Sequence, residues 1–218
     1  GNAFPFAKWT CYDHGLQSAM VVRWPGKVKA GSETDAMVEY VDVTPTFIDM
    51  AGGEPIAPVD GLSFLPVLQG KAKAHKEHVF GIMTTRGIIN GTDAYAIRSV
   101  RDSRYKLILN LNHESKFTNA CTKMPLFKSM IAKAKAGDKT AKRLVHAYQH
   151  RPAVELFDME KDPLEMNNLA NHADYKKHVV RLRKKLELWM EEQGDKGVET
   201  ELKANERQGG KRRIKKDK

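Results

Sequence analysis

The stretch AYAIRSVRDSRYKLILNL, residues 94–111, constrains the fold of this chain more than any other. Two runs rich in aliphatic and aromatic residues flank Asp102-Ser103, a turn-forming pair, and the second run places Tyr105, Leu107, Leu109 and Leu111 on one face at a period of two. That pattern predicts a β-hairpin with one face to bury. HVFGIM (78–83) and VELFD (154–158) read as further strands of the same small antiparallel sheet. The cover is predicted between about Asp174 and Met190, where Tyr175, Val179, Leu182, Leu186 and Trp189 recur at steps of four and three. Lys176, Lys177, Arg181, Arg183, Lys184 and Lys185 fall on the wet side of that helix.

The N-terminal part has a different texture. AMVVRW, ended by Pro25-Gly26, reads as a buried strand followed by a turn. In VDVTPTFIDMAGG, Asp42 can cap a helix that tolerates Pro45 in its first turn, presents Phe47, Ile48 and Ala51 on one face, and stops at Gly52-Gly53. SFLPVLQG reads as a second short helix between Ser63 and Gly70. Helical spacing returns from Leu126 to Ala136 and again after Asp138, where Ala141, Leu144, Val145 and Tyr148 form a stripe; Asp162-Pro163 marks a turn. The expected fold class is α/β passing into α+β, with a boundary between Lys71 and His78. The expected organisation is 1–73 as the end of an α/β domain, 74–192 as a subdomain with a small antiparallel sheet and a covering helix, and 193–218 as a basic, disordered tail.

Composition excludes more than it specifies. A chain of 218 residues with 41% hydrophobic content can bury a substantial core. No apolar run approaches the roughly 18 residues a membrane span needs, and no segment has the layout of a signal peptide. Two cysteines, Cys11 and Cys121, make neither a disulfide framework nor a C-x-x-C metal pair. The formal charge is +10, but +6 of it lies between Lys203 and Lys218, so a basic balance alone does not make the chain a nucleic-acid binder. Neither the tail nor the polar face of the last long helix interleaves aromatic side chains with its cations, as single-strand binding surfaces do.

Five segments, in order, carry a resemblance. K-W-T-C-Y-D-H-G (8–15), followed by R-W-P-G, resembles the lysine segment of the type I, formylglycine-dependent sulfatases of the alkaline-phosphatase-like superfamily. VDVTPTFIDMAG and DGLSFLPVLQG resemble the next two segments of that family. AIRSVRDSRYKLILN and ELFDMEKDPLEMNNLA resemble its C-terminal subdomain. The resemblance spans roughly Gly1 to Met190 and implies the C-terminal part of a sulfatase, similar in GIMTTRGIINGTDAYAIRSV to the sulfamidase-like branch that acts on N-sulfoglucosamine. It implies a formylglycine nucleophile, a calcium ion, a sulfated sugar or glycosaminoglycan fragment as substrate, and a periplasmic or secreted location for the full-length protein.

Carried over by position, Lys8 matches the family's sulfate-contacting lysine, a charge that works best on an oxyanion in a dry, preorganised site. Asp13 matches a commonly acidic position that could orient Lys8 or nearby amides. Thr84, Thr85 and Arg86 are expected to line the substrate pocket, an arginine fork being suited to sulfate and carboxylate oxygens. His14 could donate a proton, although a packed or solvent-facing histidine fits that position as well; His113 could also face the pocket. Neither Cys11-Tyr12-Asp13-His14-Gly15 nor Cys121-Thr122-Lys123-Met124-Pro125 is the C-x-P-x-R nucleophile motif. The nucleophile is therefore absent, metal ligands are expected just upstream of Gly1, and the chain by itself is expected to be inactive. Two other functions remain open from sequence: a phosphomonoester or phosphonate hydrolase of the same superfamily, and a non-enzymatic basic module that binds polyanions.

Overall fold

The computed structural model describes residues 4–55, 57, 59–84, 91–92 and 94–207. Four strands, β1 (Val79–Met83), β2 (Ile97–Arg101), β3 (Tyr105–Asn110) and β4 (Val154–Asp158), form one antiparallel sheet in sequence order. The β2–β3 hairpin pairs Arg101 with Lys106 and Ile97 with Asn110. Its turn is held by Asp102, whose Oδ1 accepts from the backbone N–H groups of Arg104 and Tyr105.

Strand β3 is buried along its whole length because each face has its own cover. Tyr105, Leu107 and Leu109 pack with Val100, Leu156, Leu182 and Leu186 on the side of the long helix α6 (Lys176–Glu192). Phe80 stacks on Trp189 at 4.7 Å and closes one edge of that layer. Leu182 and Leu186 are fully buried, so Leu182→Ala and Leu186→Ala should each destabilise by roughly 2–5 kcal/mol in denaturant melts. Parent-like melting of both variants would mean the helix is not docked.

The opposite face of the sheet carries Ile97, Ile108 and Phe157 beneath the loop of residues 4–12, with Phe117, Phe127 and Tyr148 beside them. Phe127 belongs to α4 (Pro125–Lys135) and Tyr148 to α5 (Lys139–Gln149), two helices joined as a hairpin; Asp138 caps the second by accepting from the N–H of Ala141. Both helices lie where the sequence periodicity places them.

Before the sheet, the structure corrects several expectations. Residues 19–24 form no strand, and Val21 is 93% exposed. An apolar run becomes a strand only where a neighbour completes its ladder, and none of the described strands lies beside it. Helix α2 (Val43–Met50), which follows the four-residue α1 (Asp13–Leu16), has the expected position, yet Phe47 is exposed and Thr46 is the residue it buries. The 63–70 helix shortens to α3 (Leu65–Leu68), and Gly70 ends it at φ 71°. Residues 193–207, expected as tail, contain α7 (Val198–Leu202) and α8 (Ala204–Arg207). Asp195 ion-pairs with Arg98, a nearly buried side chain of β2. Residues 208–218 lie outside the described residues.

Asp42 does not cap α2 with its side chain. It is fully buried and accepts from the N–H groups of Glu39 at 2.8 Å and Leu62 at 2.9 Å, with Lys76 Nζ at 2.7 Å. It thereby ties VDVTP to DGLSF, whose Gly61 passes so close that a Cβ would stand 1.9 Å from the carbonyl oxygen of Val41. Burial opposes the charged carboxylate, but the Lys76 hydrogen bond and the two backbone donors outweigh it and hold the Asp42 pKa below its usual value. A depressed carboxylate stabilises the fold above its unfolded pKa and loses that contribution as pH falls through the folded one. Acid melts of the full chain should therefore lose stability below about pH 4, and Asp42→Asn should flatten that loss. An unchanged acid limb in the variant would contradict the assignment.

Among the described residues, no helix is long and apolar enough to cross a membrane.

Candidate functional site

The K-W-T-C-Y-D-H-G segment folds into a loop and the short helix α1. Most of its residues turn inward. Thr10 is buried and donates from Oγ1 to the carbonyl of Ala7 at 2.6 Å, closing the bend. Gly15 lies against that bend so tightly that a Cβ would meet the Ala7 carbonyl oxygen at 2.4 Å. The Cys11 thiol is fully buried, and desolvation lifts its pKa to about 11, which leaves it inert. Tyr12 packs against Phe6 and Phe157 and donates from its hydroxyl to Glu155 of β4 at 2.7 Å.

Asp13 is the pin of the loop. Its carboxylate meets Lys106 Nζ at 2.7 Å and the guanidinium of Arg101. Its backbone N–H donates to Glu165 Oε2 at 2.6 Å, and Glu165 Oε1 stands 2.9 Å from the same ammonium. Lys106 is 1% exposed, so one buried ammonium is shared by two carboxylates from distant parts of the chain. Burial pushes the Glu165 pKa up despite that ammonium. A second buried cation, Arg151, sits 4.1 Å over the Phe117 ring and about 5 Å over Tyr12 and Tyr148, so aromatic faces surround the guanidinium beneath the same loop.

Lys8 does the opposite. Its side chain is exposed, its Nζ lies 4.8 Å over the Trp9 ring, and it forms no ion pair among the described residues. Phe6 and Trp9, on either side, hold φ of 61° and 65°, the left-handed region that costs a non-glycine residue roughly 1–2 kcal/mol. Glu165, at φ 55°, belongs to the same assembly. The surrounding packing maintains this strained bend, and the bend presents one ammonium.

The other expected site residues separate. Asp13 contacts Lys106 and Arg101 rather than Lys8, so it fixes the loop and not the amine. His14 is exposed on α1 and His113 is exposed in the turn after β3. Thr84 follows β1, and its Oγ1 is buried with no hydrogen-bond partner among the described residues. Thr85 and Arg86 lie outside the described residues. No hydrogen bond, ion pair or ring contact among the described residues joins Lys8 to Thr84, His14 or His113. The described residues also contain no cluster of three His, Cys, Asp or Glu side chains, and the carboxylate beneath the loop, Asp13, is already held by two cations. These residues do not fit a calcium site.

Sequence reasoning missed Lys106, Arg101, Glu165 and Arg151. A signal existed for the first: a strand apolar at both Leu107 and Ile108 is covered on both faces, so its lysine must be buried and paired.

The model of the family N-sulphoglucosamine sulphohydrolase, C-terminal, matches residues 1–120. An ulvan-active sulfatase of Formosa agariphila is 37% identical over 188 residues, covering 86% of this chain and 36% of that protein. Human N-sulphoglucosamine sulphohydrolase is 29% identical, covering 91% of this chain and 41% of its own length. The chain thus spans 36% and 41% of the length of these two relatives. A protein solved in complex with its substrate D-glucosamine-2-N,6-O-disulfate superposes over 81% of this chain and 29% of that one, with a TM-score of 0.57 and 24% identity. Phosphonate monoester hydrolase from Silicibacter pomeroyi shares the fold at a TM-score of 0.50 and 20% identity, covering 81% of this chain and 29% of that one. These likenesses place the molecule: the chain belongs to the sulfatase family of the alkaline-phosphatase-like superfamily and corresponds to its C-terminal portion.

Proposed function

We propose that the chain is the C-terminal part of an enzyme that hydrolyses sulfate esters or sulfamates of sulfated sugars, and that Lys8 binds the sulfate oxygens. One observation carries the reading: in a loop whose other motif side chains are largely buried and bonded inward, Lys8 extends a cation outward over the Trp9 ring with no ion-pair partner among the described residues. An ammonium placed on the equatorial oxygens of a sulfuryl group stabilises the charge that shifts onto them in the transition state, and a prefixed loop lets it do so without reorganisation. Formylglycine and calcium, which the family uses, supply the nucleophile and the Lewis acid; this reading assigns both to residues the chain does not carry. Thr84 extends the same reading as a contact to the sugar, because a buried hydroxyl with no described partner is suited to a ligand hydroxyl. Thr85 and Arg86 are proposed beside it. A periplasmic or secreted location fits the same proposal.

The phosphonate hydrolase alternative rests on a shared fold, which hosts both chemistries. The discriminating experiment presents the complete enzyme with sulfated monosaccharides and with phosphonate monoesters, and measures inorganic sulfate and alcohol release. Efficient turnover of the sulfated sugars supports the proposal. Turnover confined to phosphonate esters would replace it with the alternative.

A further inference from the structure

The α4–α5 hairpin lies beyond the residues that match the family model, and it concentrates charge in a way the rest of the fold does not. Residues 123–150 contain seven lysines and arginines against one acid, Asp138, and with the +6 of the 203–218 tail this leaves the remainder of the chain at −2. All seven cations are exposed, and among the described residues none forms an ion pair. Helix α6 provides the contrast. Its six cations accompany three glutamates, Arg181 pairs with Asp102, and Arg183 pairs with Glu187, as on an ordinary solvated face.

On α5 the charge is ordered. Lys139, Lys142, Arg143, His146 and His150 recur at steps of three and four along one stripe, while Ala141 and Tyr148 are buried on the other. These side chains line a groove of about 630 Å³ with Val145 and with Ala134 of α4, and the His146 and His150 rings stack at 5.0 Å. The arrangement opposes the local stability of the helix. Like charges three and four residues apart cost about 0.2–0.5 kcal/mol per pair, and cations in the first turns oppose the helix dipole. A bound polyanion would offset both costs.

We propose that this groove, lined by α5 and Ala134 rather than by residues of the Lys8 loop, is a secondary docking surface for a sulfated polysaccharide and holds a polymeric substrate on the protein. Sulfate as the anionic group rests on the sulfatase reading; the surface itself rests on the charge pattern.

The test uses the full chain and a version stopped after Arg207, which removes most of the tail charge. Binding to a heparin-type sulfated polysaccharide is measured against salt for the parent, for Lys139→Glu/Lys142→Glu/Arg143→Glu, and for the milder Lys142→Ala/Arg143→Ala, with circular dichroism confirming the fold. The triple variant should bind about tenfold or more weakly in both backgrounds, with a shallower salt dependence, and the double variant should fall between it and the parent. Desulfating the polymer should abolish the difference. Equal affinity of parent and triple variant would overturn the proposal, as would a DNA duplex binding the groove as tightly as the sulfated polymer. Turnover of a sulfated monosaccharide by the complete enzyme should be unchanged in the triple variant. If the parent enzyme turns over no sulfated monosaccharide, the sulfatase reading fails while the binding comparison still decides the groove.

Discussion

Lys8→Ala in the complete enzyme should lower kcat on a small sulfated sugar by about 10²–10³-fold, the loss that follows removal of one preorganised donor from a developing oxyanion. Folding should be nearly untouched. The lysine is exposed, its one ring contact among the described residues is with the neighbouring Trp9, and surface substitutions of this kind stay within about 0.5 kcal/mol. Lys8→Arg should retain charge but misplace it, since a planar fork does not occupy the position of a compact ammonium, and should recover only part of the rate. Steady-state kinetics with thermal melts separate these outcomes. Near-parental kcat in Lys8→Ala would remove the lysine from the chemistry.

A large effect on stability is expected one layer below. Lys106→Met leaves Glu165 and Asp13 without their shared ammonium, Glu165 being 8% and Asp13 9% exposed, and breaking a buried pair from one side costs about 3–5 kcal/mol. Asp13 keeps Arg101, so Glu165 bears most of the penalty. Combining Lys106→Met with Glu165→Leu should restore part of the loss, and a double-mutant cycle in denaturant measures that coupling. The same network joins DPLEMNNLA to the distant lysine loop, because its glutamate accepts the N–H of Asp13. If Lys106→Met melts within about 1 kcal/mol of the parent, the network does not hold the loop.

The parts of the fold legible in sequence are those fixed by local pattern. The period of two in Tyr105, Leu107 and Leu109, the stripe from Tyr175 to Trp189 and the helical spacing after Asp138 are each decided by neighbours within a few residues, and each is present in the structure. Residues 19–24 and Phe47 were misread because apolar character marks what could be buried, while burial itself needs a partner surface. The contacts of Asp13 were hidden for the opposite reason. Its partners Lys106 and Glu165 lie about 90 and 150 positions away in sequence, and no spacing rule reports contacts at that range. The strained bend at Phe6 and Trp9 is equally silent in sequence, because neither residue type announces a positive φ.

The position of the Lys8 ammonium when an oxyanion is bound is the decisive quantity, and a crystal structure of the complete enzyme with sulfate or a slowly turned-over sulfated sugar measures it directly. The expected result is Lys8 Nζ within about 2.7–3.2 Å of a sulfate oxygen, with Asp13, Lys106 and Glu165 still joined beneath it. An ammonium lying beyond hydrogen-bond reach of the sulfate and turned to bulk solvent would contradict it.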